Sequence, residues 1–505
     1  MAKHYDVAVL GTGIGALACA ALLARRSWRV LVLGQGDKPA VYTHQGLPLA
    51  RRSFTLLAAA SPAFGRVLVE LAQSQTFRRR MHAQDPMLHA LLPNRRLELP
   101  PDTTLFSREI DREFPEVRRI VDELYSELAR VNAAADGTFE RDVNWSPSGF
   151  WERRETGAVL SALPRLDEPS FDWLGEFPRS HPFREIVQVT ARFATDLAGP
   201  IPPLALARLH GAWTRGLVSL ARGEDELVEF FKDRIRAHGG EVLTHGRADS
   251  IVTRSGKVTG VTTPGEDAPT GAQFIVTDRT TREVLDLATS FSPSRRMLDA
   301  MPNVVAASWR FVVSILVRSA GVPRTLAKES FLLPEGSTHA VHLQRTTPLG
   351  CPKDHELLVA ETLVDDDDAP QARARVVATV ERFLPFVERH YVLIDSPHDG
   401  VPAWDYRSGK RESIDRALLQ AGGGSLHAEP MVPQLAVQPT AQWGLSAEPC
   451  NTLLSGAFVV GKSALPALGQ EGQLLAAWSA ARVITRTDRR KEKMRREMWS
   501  KVELG

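Results

Sequence analysis

The chain has 505 residues, 43% hydrophobic and 24% charged, a balance that fits an ordinary globular protein with a large core and two or three domains. Its 62 basic and 60 acidic residues leave a formal charge of +2, which excludes the electrostatic footprint of a nucleic-acid binder. Cys19, Cys351 and Cys450 are widely spaced without a metal-ligand pattern and fit a reducing cytoplasm; no apolar run is long enough to span a bilayer, and the first strand starts too close to Met1 for a signal peptide.

Residues 6–35, DVAVLGTGIGALACAALLARRSWRVLVLGQ, read as strand, turn, helix and strand. Residues 7–10 are short, apolar and valine-rich, as a strand buried on both faces requires. The turn carries Gly11, Gly13 and Gly15, with Ala16 in the third place of a GxGxxG/A pattern. There the first glycine permits the tight turn, the second lets backbone approach a pyrophosphate, and the small third residue lets helix pack on strand. Residues 17–25 continue as an alanine-rich helix whose N-terminus would present N–H groups and positive dipole to a diphosphate. After the return strand, residues 30–33, this motif places an acid that accepts from an adenosine ribose. Here Gly34 stands in that place, with Gln35 beside it.

Further on, residues 54–72 predict two short apolar helices parted at Ser61 and Pro62, residues 87–99 a hairpin turning at Pro93 and Asn94, and residues 102–132 one amphipathic helix. Residues 133–205 are rich in Pro, Trp and Phe, a composition suited to core or to the wall of an apolar pocket. Residues 222–261 read as a turn, a helix to His238, a Gly-Gly stop and a three-stranded meander over residues 241–243, 248–253 and 257–262. That meander would bring the backbone of Ile251 and Val252 near an adenine. Strands are expected at 309–317, 339–344 and 356–361, and a helix at 369–383 behind the acidic run 365–368. Asp395, His398 and Asp399 share a polar loop that reads as a structural turn. Residues 457–484 are a strand, a glycine-rich turn and a helix whose first N–H groups suit a diphosphate or a flavin carbonyl. Residues 487–505 form a mostly charged helical tail, either solvated or at a membrane surface.

Four stretches, VLGTGIGALACAALLARR, ELVEFFKDRIRAHGGEV with the following VTGV, LPFVERHYVLIDSPHDG, and FVVGKSALPALGQEGQLLAAWSAARVI, together resemble the phytoene (carotenoid) desaturase branch of the FAD-dependent, amine-oxidase-like flavoproteins. The resemblance implies an α/β fold: a Rossmann-like FAD-binding domain made of discontinuous segments (1–100, 206–290 and 441–486) with an α+β substrate domain (101–205 and 291–440). It implies that Gly11, Gly13 and Ala16 flank the pyrophosphate and that Gly461, Gly469, Glu471 and Gly472 line the flavin. Two positions depart from the family pattern: Gly34 replaces the ribose-binding acid, and Lys462 replaces an aspartate, although an ammonium beside a diphosphate attracts it. Gln35 can donate to the ribose from the neighbouring position. No catalytic side chain is assigned, because in flavin chemistry the cofactor carries the hydride. Three readings stay open: an FAD-dependent oxidoreductase of a hydrophobic isoprenoid or lipid substrate, cytoplasmic and peripheral at the inner membrane face; a relative that has lost FAD and serves as a binding or assembly component with a protein partner; and an amine oxidase of a small amine.

Overall fold

The computed structural model describes residues 3–163, 171–266, 268–335, 339–365, 369–438 and 442–503. The N-terminal pattern folds as β1 (Val7–Leu10), α1 (Ile14–Arg25) and β2 (Val30–Leu33), with both strands buried throughout. α1 is buried on nearly every side, because it lies between helices Gly469–Arg486 and Gly223–Ala237. Its alanines make that possible, since small side chains let helix backbones approach closely while a helix apolar all round belongs in a core.

β1 is central in a five-stranded parallel sheet of order Ala457–Val459, Phe274–Thr277, β1, β2, Glu241–Leu243. Glu241–Leu243 therefore extends this sheet and does not open the meander. It follows helix Gly223–Ala237, which covers the sheet, and so returns parallel to β2. The meander is Ser250–Arg254, Lys257–Thr262 and Thr270–Gly271.

A ten-stranded mixed sheet forms the second layer. Its spine is the long strand Asn303–Arg318, paired antiparallel with His355–Val364 on one side and with Tyr391–Asp395 and Val432–Gln438 on the other. The hairpin Leu88–Leu92 and Arg95–Leu99 belongs to this sheet, running parallel to Glu329–Leu332, although it lies within the first 100 residues. Pro115 breaks the expected long helix into Thr103–Glu113 and Arg118–Phe139. The aromatic-rich region divides between core and surface: Trp145 is buried, whereas Phe150 and Trp151 are 72% and 73% exposed. The tail helix Arg489–Glu503 docks on the protein, with Trp499 edge-on to Trp478 and Lys491 3.6 Å above the Trp28 ring. Among the described residues no helix is long and apolar enough to cross a membrane, and residues 366–368 of the acidic run lie outside them.

One buried ion pair fastens α1. Arg26 is fully buried and donates to both Glu70 oxygens, at 2.6 and 2.9 Å, and to Thr485 Oγ1 at 3.1 Å, joining α1 to helices Pro62–Glu70 and Gly469–Arg486. Arg26→Ala would leave the buried Glu70 without its bidentate partner and is expected to cost about 3–5 kcal/mol in urea unfolding, whereas Arg26→Met with Glu70→Leu should recover most of it.

Candidate functional site

The turn after β1 is shaped by a close approach. Gly11 has φ +111°, a left-handed conformation that glycine adopts without a steric penalty. Leu10 lies beside Thr277 in the parallel register, so the residues following each strand converge. Asp278 lies directly over the turn: its carboxylate accepts the Gly13 N–H at 2.8 Å, and a Cβ at Gly11 or Gly13 would collide with it. From the opposite end of the chain, Gly461 packs on the Asp278 carbonyl so closely that a Cβ there would also collide. Gly11, Gly13 and Gly461 are thus brought together around one residue, Asp278, that no motif in the sequence marks. Burial pushes that carboxyl up to about 6, helped by the nearby Asp37 carboxylate and opposed by the Gly13 N–H and Arg279.

The other expected residues divide by what they touch. Gly15 admits the Val460 carbonyl against α1, and Ala16 is fully buried beneath the turn. Gly34 donates its N–H to Leu243 and packs on the Thr244 carbonyl, where any side chain would collide. Gln35 donates its backbone N–H to Gly246 at 2.9 Å and leaves its side-chain Nε2 buried without a partner. The Ile251 carbonyl accepts the Thr289 N–H at 2.8 Å and the Val252 carbonyl the Thr259 hydroxyl at 3.1 Å, and neither residue borders the cavity that begins at Gly13. Lys462 pairs with Asp196 at 3.6 Å.

At the start of helix Gly469–Arg486 the helical repeat separates cavity from packing. Gly469 meets the Ala194 carbonyl and Gly472 the Leu465 carbonyl. Glu471 is held by Arg208 at 2.5 and 2.9 Å, within a buried cluster that includes Asn132 and Asp136. These three residues therefore face protein. Gln470 and Gln473, one turn apart, face the cavity in their place.

That cavity, of about 480 Å³, extends from Gly13 and Asp37 past Lys462 to the inner face of the mixed sheet. Ion pairs build much of its wall: Arg51 and Lys38 with Glu429, each at 3.0 Å, Arg52 with Glu224, Lys462 with Asp196, and Arg310 with Glu361 at 2.5 Å. Burial acts to raise the Glu361 carboxyl, but Arg310, His342 and the Ser53 hydroxyl outweigh it and hold it below the ordinary value. His342 Nε2 is 2.7 Å from Glu329 Oε2, and Phe193 and Trp213 pack beside its ring. His398 also lines the cavity, and burial lowers its imidazole. Its loop neighbours Asp395 and Asp399 are tied to Arg373, with Arg416 also on Asp395. Arg310 and Glu361 stand on neighbouring strands far apart in sequence, so no local pattern announces them.

No family model matches the chain, and no curated protein matches its sequence. Solved structures do match its fold. An oxidoreductase from Methanosarcina mazei is 14% identical with a TM-score of 0.58, over 94% of this chain and 99% of its own. A putrescine oxidase variant is 13% identical with a TM-score of 0.56, over 95% and 99%. Cyclohexylamine oxidase from Brevibacterium oxydans is 17% identical with a TM-score of 0.52, over 98% and 100%. The chain has the fold of these proteins: a Rossmann-like parallel-sheet unit joined to a second unit built on the mixed sheet.

Gly34→Glu, the change that would restore the expected ribose-binding acid, should destabilise the protein by roughly 1–3 kcal/mol, because its Cβ must displace the Thr244 backbone. A lowered melting temperature without any gain in FAD uptake is the expected result.

Proposed function

We propose that the chain is an FAD-dependent oxidoreductase acting on a small polar substrate, with an amine the best fit. The observation that carries this reading is the cavity, which begins at the N-terminal turn of a Rossmann-like unit and ends at Arg310, Glu361 and His342. The putrescine and cyclohexylamine oxidases that share the fold support it.

The residues fit the group in its flavin half. Lys462, Gln470 and Gln473 carry donors at the cavity wall that now rest on Asp196 and the Thr55 carbonyl and would be handed to a ligand, and Gln35 keeps a buried amide donor without a partner. The diphosphate half fits once Asp278 releases the Gly13 N–H. FAD, when bound, supplies the acceptor for two electrons. The chain's own residues would bind and orient the substrate: Glu361 provides a buried carboxylate, with His342 beside it, and Phe54, Phe193 and Trp213 cover its carbon atoms and exclude water.

The wall argues against a polyene. An apolar chain laid over five ion pairs would desolvate their charges and return no hydrogen bonds, at a cost of several kcal/mol. A small amine replaces lost water with contacts to carboxylates. A second reading, a relative that binds a polar ligand without flavin, is favoured by one specific observation, the carboxylate of Asp278 on the Gly13 N–H.

Freshly purified protein, or protein incubated with FAD, should show flavin absorbance near unit stoichiometry. Anaerobic addition of a panel of primary amines should bleach it, with Glu361→Gln raising KM. Protein that stays colourless after incubation with FAD would overturn the reading, and bleaching by polyenes but not by amines would overturn the substrate class.

A further inference from the structure

We propose that Asp278 is a built-in competitor for the cofactor diphosphate, an internal anion that must leave the Gly13 N–H before FAD can bind. The inference rests on the flavin reading above. It starts from the coincidence of three glycines on one residue, two of them against its side chain. Gly11 and Gly13 have no room for a Cβ because the Asp278 carboxylate fills the space, and Gly461 has none because of the Asp278 carbonyl. Backbone of that kind, at the N-terminus of a buried helix, favours an anion, and here the protein supplies its own. A diphosphate needs the same N–H and carries the same sign of charge.

The charges around Asp278 make its hold conditional. Asp37, from the segment after β2, repels it and is itself held by the Thr12 hydroxyl. Arg279 attracts it from the adjoining position, and the Gly13 N–H does so from α1. Lys462, from the segment after Ala457–Val459, is paired with Asp196. Burial is the largest influence, placing the carboxyl at about 6. Below that pH Asp278 is neutral and its grip on the Gly13 N–H weakens. Above it the carboxylate is charged, binds the amide more strongly and repels the incoming diphosphate.

A purely structural role, capping α1, would make substitutions of Asp278 cost stability without changing ligand affinity. The two roles are separated by measuring FAD binding by fluorescence quenching, and ADP-ribose binding by calorimetry, on the full chain across pH 5–8. Wild type, Asp278→Asn and Asp278→Ala would be compared, with thermal melting as the folding control. Wild-type affinity is expected to fall as pH rises through about 6, and Asp278→Asn to bind about tenfold more tightly at neutral pH with a flat profile. Binding by the variants alone would support the proposal while ending the flavin reading for the native chain. Equal affinities and equal pH profiles in wild type and variants would overturn it and leave that reading intact. Folded variants that bind neither probe at any pH would overturn both.

Discussion

The parallel register of β1 with Phe274–Thr277, and of that strand with Ala457–Val459, is the constraint on which the site depends. Leu10 lies opposite Thr277 and Thr277 opposite Val459, so three chain segments end their strands at the same level. The Thr277 hydroxyl donates to the Leu10 carbonyl at 2.9 Å, and the Val460 N–H donates to the Thr277 carbonyl at 2.8 Å, which fixes the level to within a hydrogen bond. A slip of one residue along any of the three would reverse which side chains face the helices and which the opposite layer. Asp278, Gly11 and Gly461 meet because the register allows them no alternative.

The cavity beyond that junction obeys a different rule. Its bases are matched by acids from distant segments, Arg51 with Glu429 and Arg310 with Glu361 among them. Buried charges of this kind stabilise little against a hydrophobic alternative but cost several kcal/mol when one partner is removed. They fix the positions of Ser53, Arg310 and Glu361 while leaving the space between them polar. The site is therefore defined more by electrostatics than by shape.

Local chemistry made the first half of this architecture legible. Glycine spacing, valine-rich strands and an alanine-rich helix predict β1, α1 and β2, and all three form with those bounds or nearly so. Register and long-range pairing were not legible, because they depend on which strand lies beside which. Glu241–Leu243 looks like one arm of a meander until helix Gly223–Ala237 is seen to cover the sheet. Glu471 looks like a flavin contact until the helical repeat turns it toward Arg208. Asp278 follows an ordinary strand with no motif around it, and only the pairing of Val276 with Val9 places it over the glycines. Pro115 ends the helix in spite of the apolar periodicity that continues on both sides of it.

The cluster of Arg208 and Glu471 has one more consequence. Two helices direct their positive ends toward the region where a dinucleotide would lie, α1 and Gly469–Arg486, and each already has an acid of the same chain in place: Asp278 on the first, Glu471 in the first turn of the second. The protein thus carries its own counter-ions. The end of α1 is met by the chain itself, so a group bound there would add stability by mass action without being needed to satisfy that helix end.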